Sequence, residues 1–502
     1  MNERALRSAD RASEPTLQGH GFLLLRRALG PLPSISAFIA LSAILFLAVP
    51  QLFRNAFPVL AFVTAANLYR QSAGHYVSFV WWLYFVSALV RRLVDYRTDF
   101  VEPNAVLLAP VLAAFICCPG ALRRIRLADK TSFAFLFPLF AVLYSFSIAY
   151  ARGGVNSIAV VKDLLSWTVP IGFGLYLYQH WSEHERLRDK LQRTFAWGML
   201  LMGSYAVVQV LTAPPWDAFW IENAGVSSIG NPEPLGFRAF STMNSQQPLA
   251  LTCVIGLLFI VRCRGWFYKS ASIAGYLAVI LSMSRGAWLL WLTAILAFGL
   301  IDRSRTFAST AIFTIFAIAA AGCAMYLSPV GEQIFGRLHS FEAIQQDESA
   351  EARFEGYREW LSKGMLQPFG GGFGTADAYD AGRQDDTQIG PHDSMAIELL
   401  MTSGWFGVLV YTAGSLGAAC YLLRAALSVR DEMVSITAAL LVGLVVHGLL
   451  DSLTGGAHGL ALWTCIGSGL GAVKHRAGHP SKESLPTPGN HFTSLKCAFF
   501  TF

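Results

Sequence analysis

The chain has 502 residues, of which 54% are hydrophobic and only 14% charged, with a formal net charge of +6. Soluble domains carry roughly 25% charged residues, and a mean hydropathy of +0.46 is too high for a core-and-shell protein in water. Apolar runs recur along most of the chain at close to the length, about 20 residues, that a helix needs to cross a bilayer. Composition and pattern therefore exclude a cytosolic enzyme, a secreted disulfide scaffold, a nucleic-acid binder and a β-barrel. They predict an all-α polytopic membrane protein of 12–14 transmembrane helices with one large outer loop.

In chain order, residues 1–30 form an Arg-bearing N-terminal segment (Arg4, Arg7, Arg11, Arg26, Arg27) without an evident cleavable signal. The transmembrane region is expected over 31–473, with helices near 35–50, 55–70, 76–90, 103–119, 131–150, 157–178, 194–213, 246–262, 268–284, 286–301, 306–327, 397–423, 432–450 and 457–473. The 55–70 run is short and contains Pro58, which leaves twelve spans as the alternative count. Residues 474–502 read as a disordered tail rich in Pro, Ser and Gly. The eight cysteines show no CxxC pair or metal-ligand spacing and read as small buried hydrophobes.

Basic loops stay in the cytoplasm. Arg123, Arg124, Arg126 and Lys130 share one short loop, Arg186, Arg188, Lys190 and Arg193 another, Arg262, Arg264 and Lys269 a third, and Lys474, Arg476 and Lys482 begin the tail. With fourteen spans all of them fall on one side, so both termini are expected in the cytoplasm and these cations are read as topology. Opposite them lie two long loops. One covers 214–245; the other, 328–393, holds five basic and twelve acidic residues. Within the second, 341–363 is polar and helix-permissive, and Gln367-Pro368-Phe369-Gly370-Gly371-Gly372-Phe373-Gly374 follows. Long loops in a compact membrane protein are usually functional.

The polar groups that stand out lie mainly on this outer side. Arg238 closes the first loop in Gly236-Phe237-Arg238-Ala239-Phe240-Ser241-Thr242-Met243-Asn244. Arg285 sits at a hairpin tip in Ser282-Met283-Ser284-Arg285-Gly286, Arg353 and Arg358 lie in the large loop, and His392 ends it in Pro391-His392-Asp393-Ser394 with Glu398 close behind. An arginine fork makes bidentate bonds to a diphosphate and keeps its proton; a histidine near pKa 6.5 can accept one from a hydroxyl. Plainer roles stay open: an ion pair or snorkelling for Arg238, an interfacial anchor or cap for Arg285, a helix-entry position for His392. Asp385, Asp386, His392 and Asp393 could form a metal site, but no ligand spacing is diagnostic, and no metal is assigned. Lys162 and Asp163, adjacent charges inside a span, are either functional or satisfied by neighbours.

Four stretches, in this order and on one side, together resemble the bacterial O-antigen ligase/polymerase family. They are Arg238 to Asn244 with Pro248; Leu281 to Ala287 with its Ser-Arg-Gly core; Arg353 to Trp360 followed by Pro368 to Gly374; and Pro391 to Ser394 followed by Gly404 and Gly407. The likeness spans about 236–424. Asp393 stands where the family usually has Asn, and Phe240 where it often has Gly. The resemblance implies a GT-C-like, metal-independent inverting glycosyltransferase of the inner membrane, without cofactor and with its active face in the periplasm. The donor would be a polyprenyl-diphosphate-linked glycan such as an undecaprenyl diphosphate oligosaccharide. His392 and Arg285 would be catalytic, and Arg238, Arg353, Arg358, Asn244 and Glu398 would bind diphosphate or glycan. Two acceptors fit: another lipid-linked repeat, making an O-antigen or exopolysaccharide polymerase, or lipid A core, making a ligase. The acidic loop leans toward the polymerase. A chain-length regulator or flippase would be a natural partner besides the lipid bilayer. A lipid-linked glycan transporter is the remaining alternative.

Overall fold

The computed structural model describes residues 31–302 and 357–478, apart from 127–128, 154–155, 226–228, 359, 363, 365, 377, 379–390 and 430. Among the described residues the protein is helical, and its one β-feature is an isolated bridge between Gly230 and Phe237. The helices are α1 Leu32–Ala48, α2 Pro50–Gln71, α3 Ala73–Arg97, α4 Leu108–Phe115, α5 Cys117–Arg123, α6 Phe133–Arg152, α7 Ser157–Gln179, α8 His184–Thr212, α9 Pro215–Ala224, α10 Gln246–Phe259, α11 Trp266–Leu281, α12 Arg285–Ile301, α13 Met395–Ser428, α14 Glu432–His447 and α15 Gly456–Gly478. Six helical stretches are long and apolar enough to cross a membrane, and five shorter helices are apolar as well. The protein is a multi-pass α-helical membrane protein.

Every apolar run read from the sequence contains helix, except 306–327, which lies outside the described residues. Several boundaries differ for definable reasons. Pro58 does not interrupt α2, which runs through it; neighbouring helices and local adjustment make such a proline tolerable within a membrane. The run at 103–119 instead breaks between Phe115 and Cys117, because Pro119 has no N–H to donate four residues back. Helix α8 begins at His184, not near 194, since Leu187 and Leu191 of the basic stretch are buried. The loop at 214–245 contains α9, started by Pro215 at its first turn. Helix α15 continues to Gly478, past the expected end at 473. Of the cysteines, Cys420 is exposed rather than buried.

Small residues set the closest helix contacts. A Cβ on Gly467 of α15 would lie 2.1 Å from the Gly174 carbonyl oxygen of α7. Without a hydrophobic drive between helices in lipid, such close backbone approach is what favours association.

The largest departure from the sequence reading is the glycine-rich stretch, expected in an outer loop. It packs into a break in α13 at Gly404, where φ is 61° and ψ −172°. There Gly371 N donates to Met401 O (2.7 Å), Gly372 N to Thr402 O (2.8 Å) and Trp405 N to Pro368 O (3.0 Å). Helix α6 contributes Ser145, whose Oγ is 2.8 Å from Ser403 Oγ. Asp163 of α7, buried in the bundle, accepts from Gly374 N at 2.8 Å. That bond gives Asp163 a structural task, so its charge in a span needs no transport role. Gly404→Ala would place a Cβ 2.2 Å from Pro368 O in a left-handed conformation. We expect a loss of about 1–3 kcal/mol from backbone strain alone, read as a lower unfolding temperature in detergent. Gly417→Ala, on the same helix but facing open space, should leave that temperature unchanged or slightly raised.

Ion pairs distinguish the two ends of the bundle. At one end Lys474 pairs with Asp129 (2.8 Å), Arg476 with Asp431 (2.8 Å) and Arg262 with Asp302 (2.5 Å). Burial pushes the Asp129 carboxyl up, but hydrogen bonds from Lys474, Thr131 and Tyr178 outweigh it and hold it at about 2. At the other end Arg54 and Arg91 both reach Asp95, and Arg91 also reaches Glu102. The basic loops gather at the first end, as the alternation of the apolar runs predicts. The chain is at this basic end at Asp302 and at the opposite one by Tyr357, which bonds Ser394 Oγ at 2.6 Å.

Candidate functional site

The end opposite the basic loops is built from four chain segments. In the first, Arg238 N donates to Ile229 O (2.9 Å), beside the Gly230–Phe237 bridge. Ala239 N then donates to Leu281 O (3.0 Å), which ties the Arg238 segment to the α11–α12 turn. In that turn Met283 takes a positive φ of 49°, Ser282 Oγ donates to Val279 O (2.7 Å), and Ala287 and Trp288 both donate to Ser284 O (3.1 Å each). Arg285 is therefore the first residue of α12 and is half-buried.

A buried polar network anchors the first segment from below. Arg92 of α3 lies 2.7 Å from Asp217 of α9, donates to Met243 O (2.7 Å) and to Ser241 O, and stacks over the Phe240 ring at 4.7 Å. Gln209 of α8 donates to Asp217 Oδ2 (2.9 Å) and accepts from Ser241 N (2.7 Å). The aromatic ring at 240, where the resembling family often has glycine, thus covers a buried guanidinium. Asn244, just beyond this anchored stretch, is exposed.

The third and fourth segments meet at His392. A 3-10 turn, Pro391–Asp393, leads into α13, and Met395 N donates to Gly448 O (2.9 Å) and Asp451 O (3.2 Å). His392 Nδ1 lies 3.3 Å from Glu398 Oε1. Glu398 is 4% exposed, and its other oxygen accepts from Thr454 Oγ1 (2.8 Å) and from Ser452 Oγ. A buried carboxylate satisfied on both oxygens is a fixed partner for an imidazole. It favours the tautomer protonated on Nδ1, which makes Nε2 the basic nitrogen.

Three residues here carry no motif that singles them out in the sequence. His447, at the end of α14, has Nδ1 3.2 Å from Gly286 O and Nε2 3.5 Å from Asp451. His458 of α15 has Nδ1 3.8 Å from the other Asp451 oxygen. Burial pushes the Asp451 carboxyl up, but His458, His447 and the Ser452 amide outweigh it and hold it below the usual carboxylate range. The α12 end carrying Arg285 is thereby joined through Gly286, His447 and Asp451 to the His392 end of α13. A weaker sequence signal does exist: His447 and Asp451 are four residues apart where an apolar run ends.

Arg358 is exposed on a helical turn whose Tyr357 and Trp360 pack on Ile397 and Met401 of α13. Arg353, Asp385 and Asp386 lie outside the described residues. An apolar groove of about 270 Å³ runs between α13 and α14 from this end into the membrane region, lined by Met395, Leu399, Val408, Leu416, Leu441 and Val445 among others.

The architecture defines a polytopic membrane protein with a cluster of polar residues at the end opposite the basic loops. Residues 270–412 match the family model described as O-antigen ligase, a likeness that covers this part of the chain. The matched stretch holds Arg285, Arg358, the glycine-rich insertion, His392, Glu398 and Gly404; Arg238, Asn244, His447 and Asp451 fall outside it. No curated protein matches the chain.

Proposed function

We propose that this protein is an inverting glycosyltransferase that uses a polyprenyl-diphosphate-linked oligosaccharide as donor and a second lipid-linked repeat as acceptor. The observation that carries this reading is the His392–Glu398 pair (3.3 Å), on the chain segment whose neighbouring residues Met395 and Leu399 line the apolar groove between α13 and α14. The groove suits an isoprenoid chain, which would set the diphosphate at the polar end. An acceptor hydroxyl oxygen attacks the anomeric carbon while its proton passes to His392 Nε2. The bond from that carbon to phosphate oxygen breaks, and its electron pair leaves with the polyprenyl diphosphate. Arg285 and Arg238 neutralise the developing charge, a task for which fixed cations contribute several kcal/mol without a metal. Arg353, Arg358 and Asn244 are proposed to contact the diphosphate or glycan.

The basic loops at the far end support an inner-membrane topology with cytoplasmic termini and a periplasmic site. The excess of acidic residues in 328–393 disfavours a phosphate-rich lipid A core as acceptor, which supports the polymerase. The description of the matching model favours the ligase as second reading. The glycan profile of a deletion strain separates them when the strain carries either the wild-type protein or His392→Ala. A polymerase defect leaves single repeats on the carrier and no long chains. A ligase defect leaves long chains on the carrier and bare lipid A core. Unchanged glycans at equal protein level would reject both.

A further inference from the structure

The basic end holds a cavity of about 610 Å³ between the ends of α5, α7 and α15. Arg123, Arg124, Arg126, Tyr178, Trp181 and Lys474 line it. Its one carboxylate among the described residues, Asp129, is already engaged: Lys474 Nζ donates to it at 2.8 Å, Tyr178 OH at 2.5 Å and Thr131 Oγ1 at 2.5 Å. Lys474 is held further by Tyr178 OH (2.9 Å) and by the Tyr178 ring, 4.5 Å away. The three arginines differ. All are exposed, and none forms an ion pair with a carboxylate among the described residues. Membrane topology accounts for cations at this end of the bundle. It does not require three of them to share one cavity with its carboxylate neutralised.

We infer that this cavity binds a phosphate-bearing anion, and that the ligand is the headgroup of an anionic membrane phospholipid. Guanidinium forks match phosphate oxygens bidentately. Basic pockets between helices at the cytoplasmic level are suited to anionic headgroups. Trp181 and Tyr178 are of the amphipathic type that sits at the headgroup level. A free phosphate compound shares the same recognition chemistry, and the experiment separates the two sources.

The full chain would be reconstituted in nanodiscs of phosphatidylcholine with a minor share of phosphatidylglycerol, and retained lipids counted by native mass spectrometry. The wild type should retain phosphatidylglycerol over phosphatidylcholine by about tenfold or more. The triple variant Arg123→Gln/Arg124→Gln/Arg126→Gln should lose that preference. Arg264→Gln, a cation at the same end but outside the cavity, should keep it, and so should the triple Arg→Lys variant in large part. Inorganic phosphate should compete the retained lipid away from the wild type, an arm that needs no variant to fold. Binding of phosphate to lipid-free protein as tightly as the lipid binds would identify a soluble phosphate as the ligand and reject the lipid source. Equal retention by wild type and the triple Gln variant, or lipid that phosphate does not displace, would overturn the site.

Discussion

Replacing His392 with alanine should lower glycan transfer by about a hundred- to ten-thousand-fold, the range general-base groups contribute. That corresponds to roughly 3–5 kcal/mol of transition-state stabilisation. The effect is expected in kcat, with KM little changed, because the imidazole acts on the acceptor proton rather than on donor binding. Glu398→Gln should fall between wild type and His392→Ala. An amide at 398 still occupies the space beside Nδ1 and can still meet Ser452 and Thr454, but it no longer stabilises an imidazolium. The assay is steady-state transfer from a purified lipid-linked donor over a range of substrate concentrations, normalised to folded protein. Activity of His392→Ala within threefold of wild type would remove the histidine from the chemistry and leave only the arginines as candidates.

Arg92→Ala should destabilise the fold by about 3–5 kcal/mol, more than Gly404→Ala does, because it strands the Asp217 carboxylate in a buried site. It also releases the carbonyls of Ser241 and Met243 and uncovers one face of Phe240. The Arg238 segment would then lose its inner support, so transfer should fall in the protein that still folds. Arg92→Leu combined with Asp217→Leu should be less damaging to stability than either single change, since no uncompensated charge remains. Unfolding in detergent followed by intrinsic fluorescence measures both effects. If the double variant is destabilised by the sum of the singles, the two residues are not coupled and Arg92 acts through packing alone.

The sequence was most legible where the physics is local. A span is a continuous apolar run, and the described helices fall on those runs because each backbone polar group in lipid must be satisfied within its own helix. The basic loops could likewise be assigned to one end from their composition. The same locality made His392 and Glu398 visible as neighbours, since they lie six positions apart in one chain segment. What escaped depends on contacts between distant segments. The glycine stretch at 368–374 reads as a loop because glycines disfavour helix, yet its amides answer carbonyls freed by the break at Gly404. Arg92 and Asp217 are charges 125 positions apart in the chain, and nothing near either one announces a partner.

By itself, then, the sequence determined the class of protein, the apolar runs on which the described helices fall, which end is basic, and a short set of arginines with one histidine as candidates. Hydropathy and charge act through the surrounding lipid and water, so they need no knowledge of how helices meet. Only the tertiary structure decided that the Arg285 turn and the His392 turn are joined through Gly286, His447 and Asp451. It alone gave Asp163 a backbone partner at Gly374 and placed three arginines around one cavity. Those outcomes depend on which helix faces pack together, and packing follows from small residues and buried polar pairs brought close by the fold.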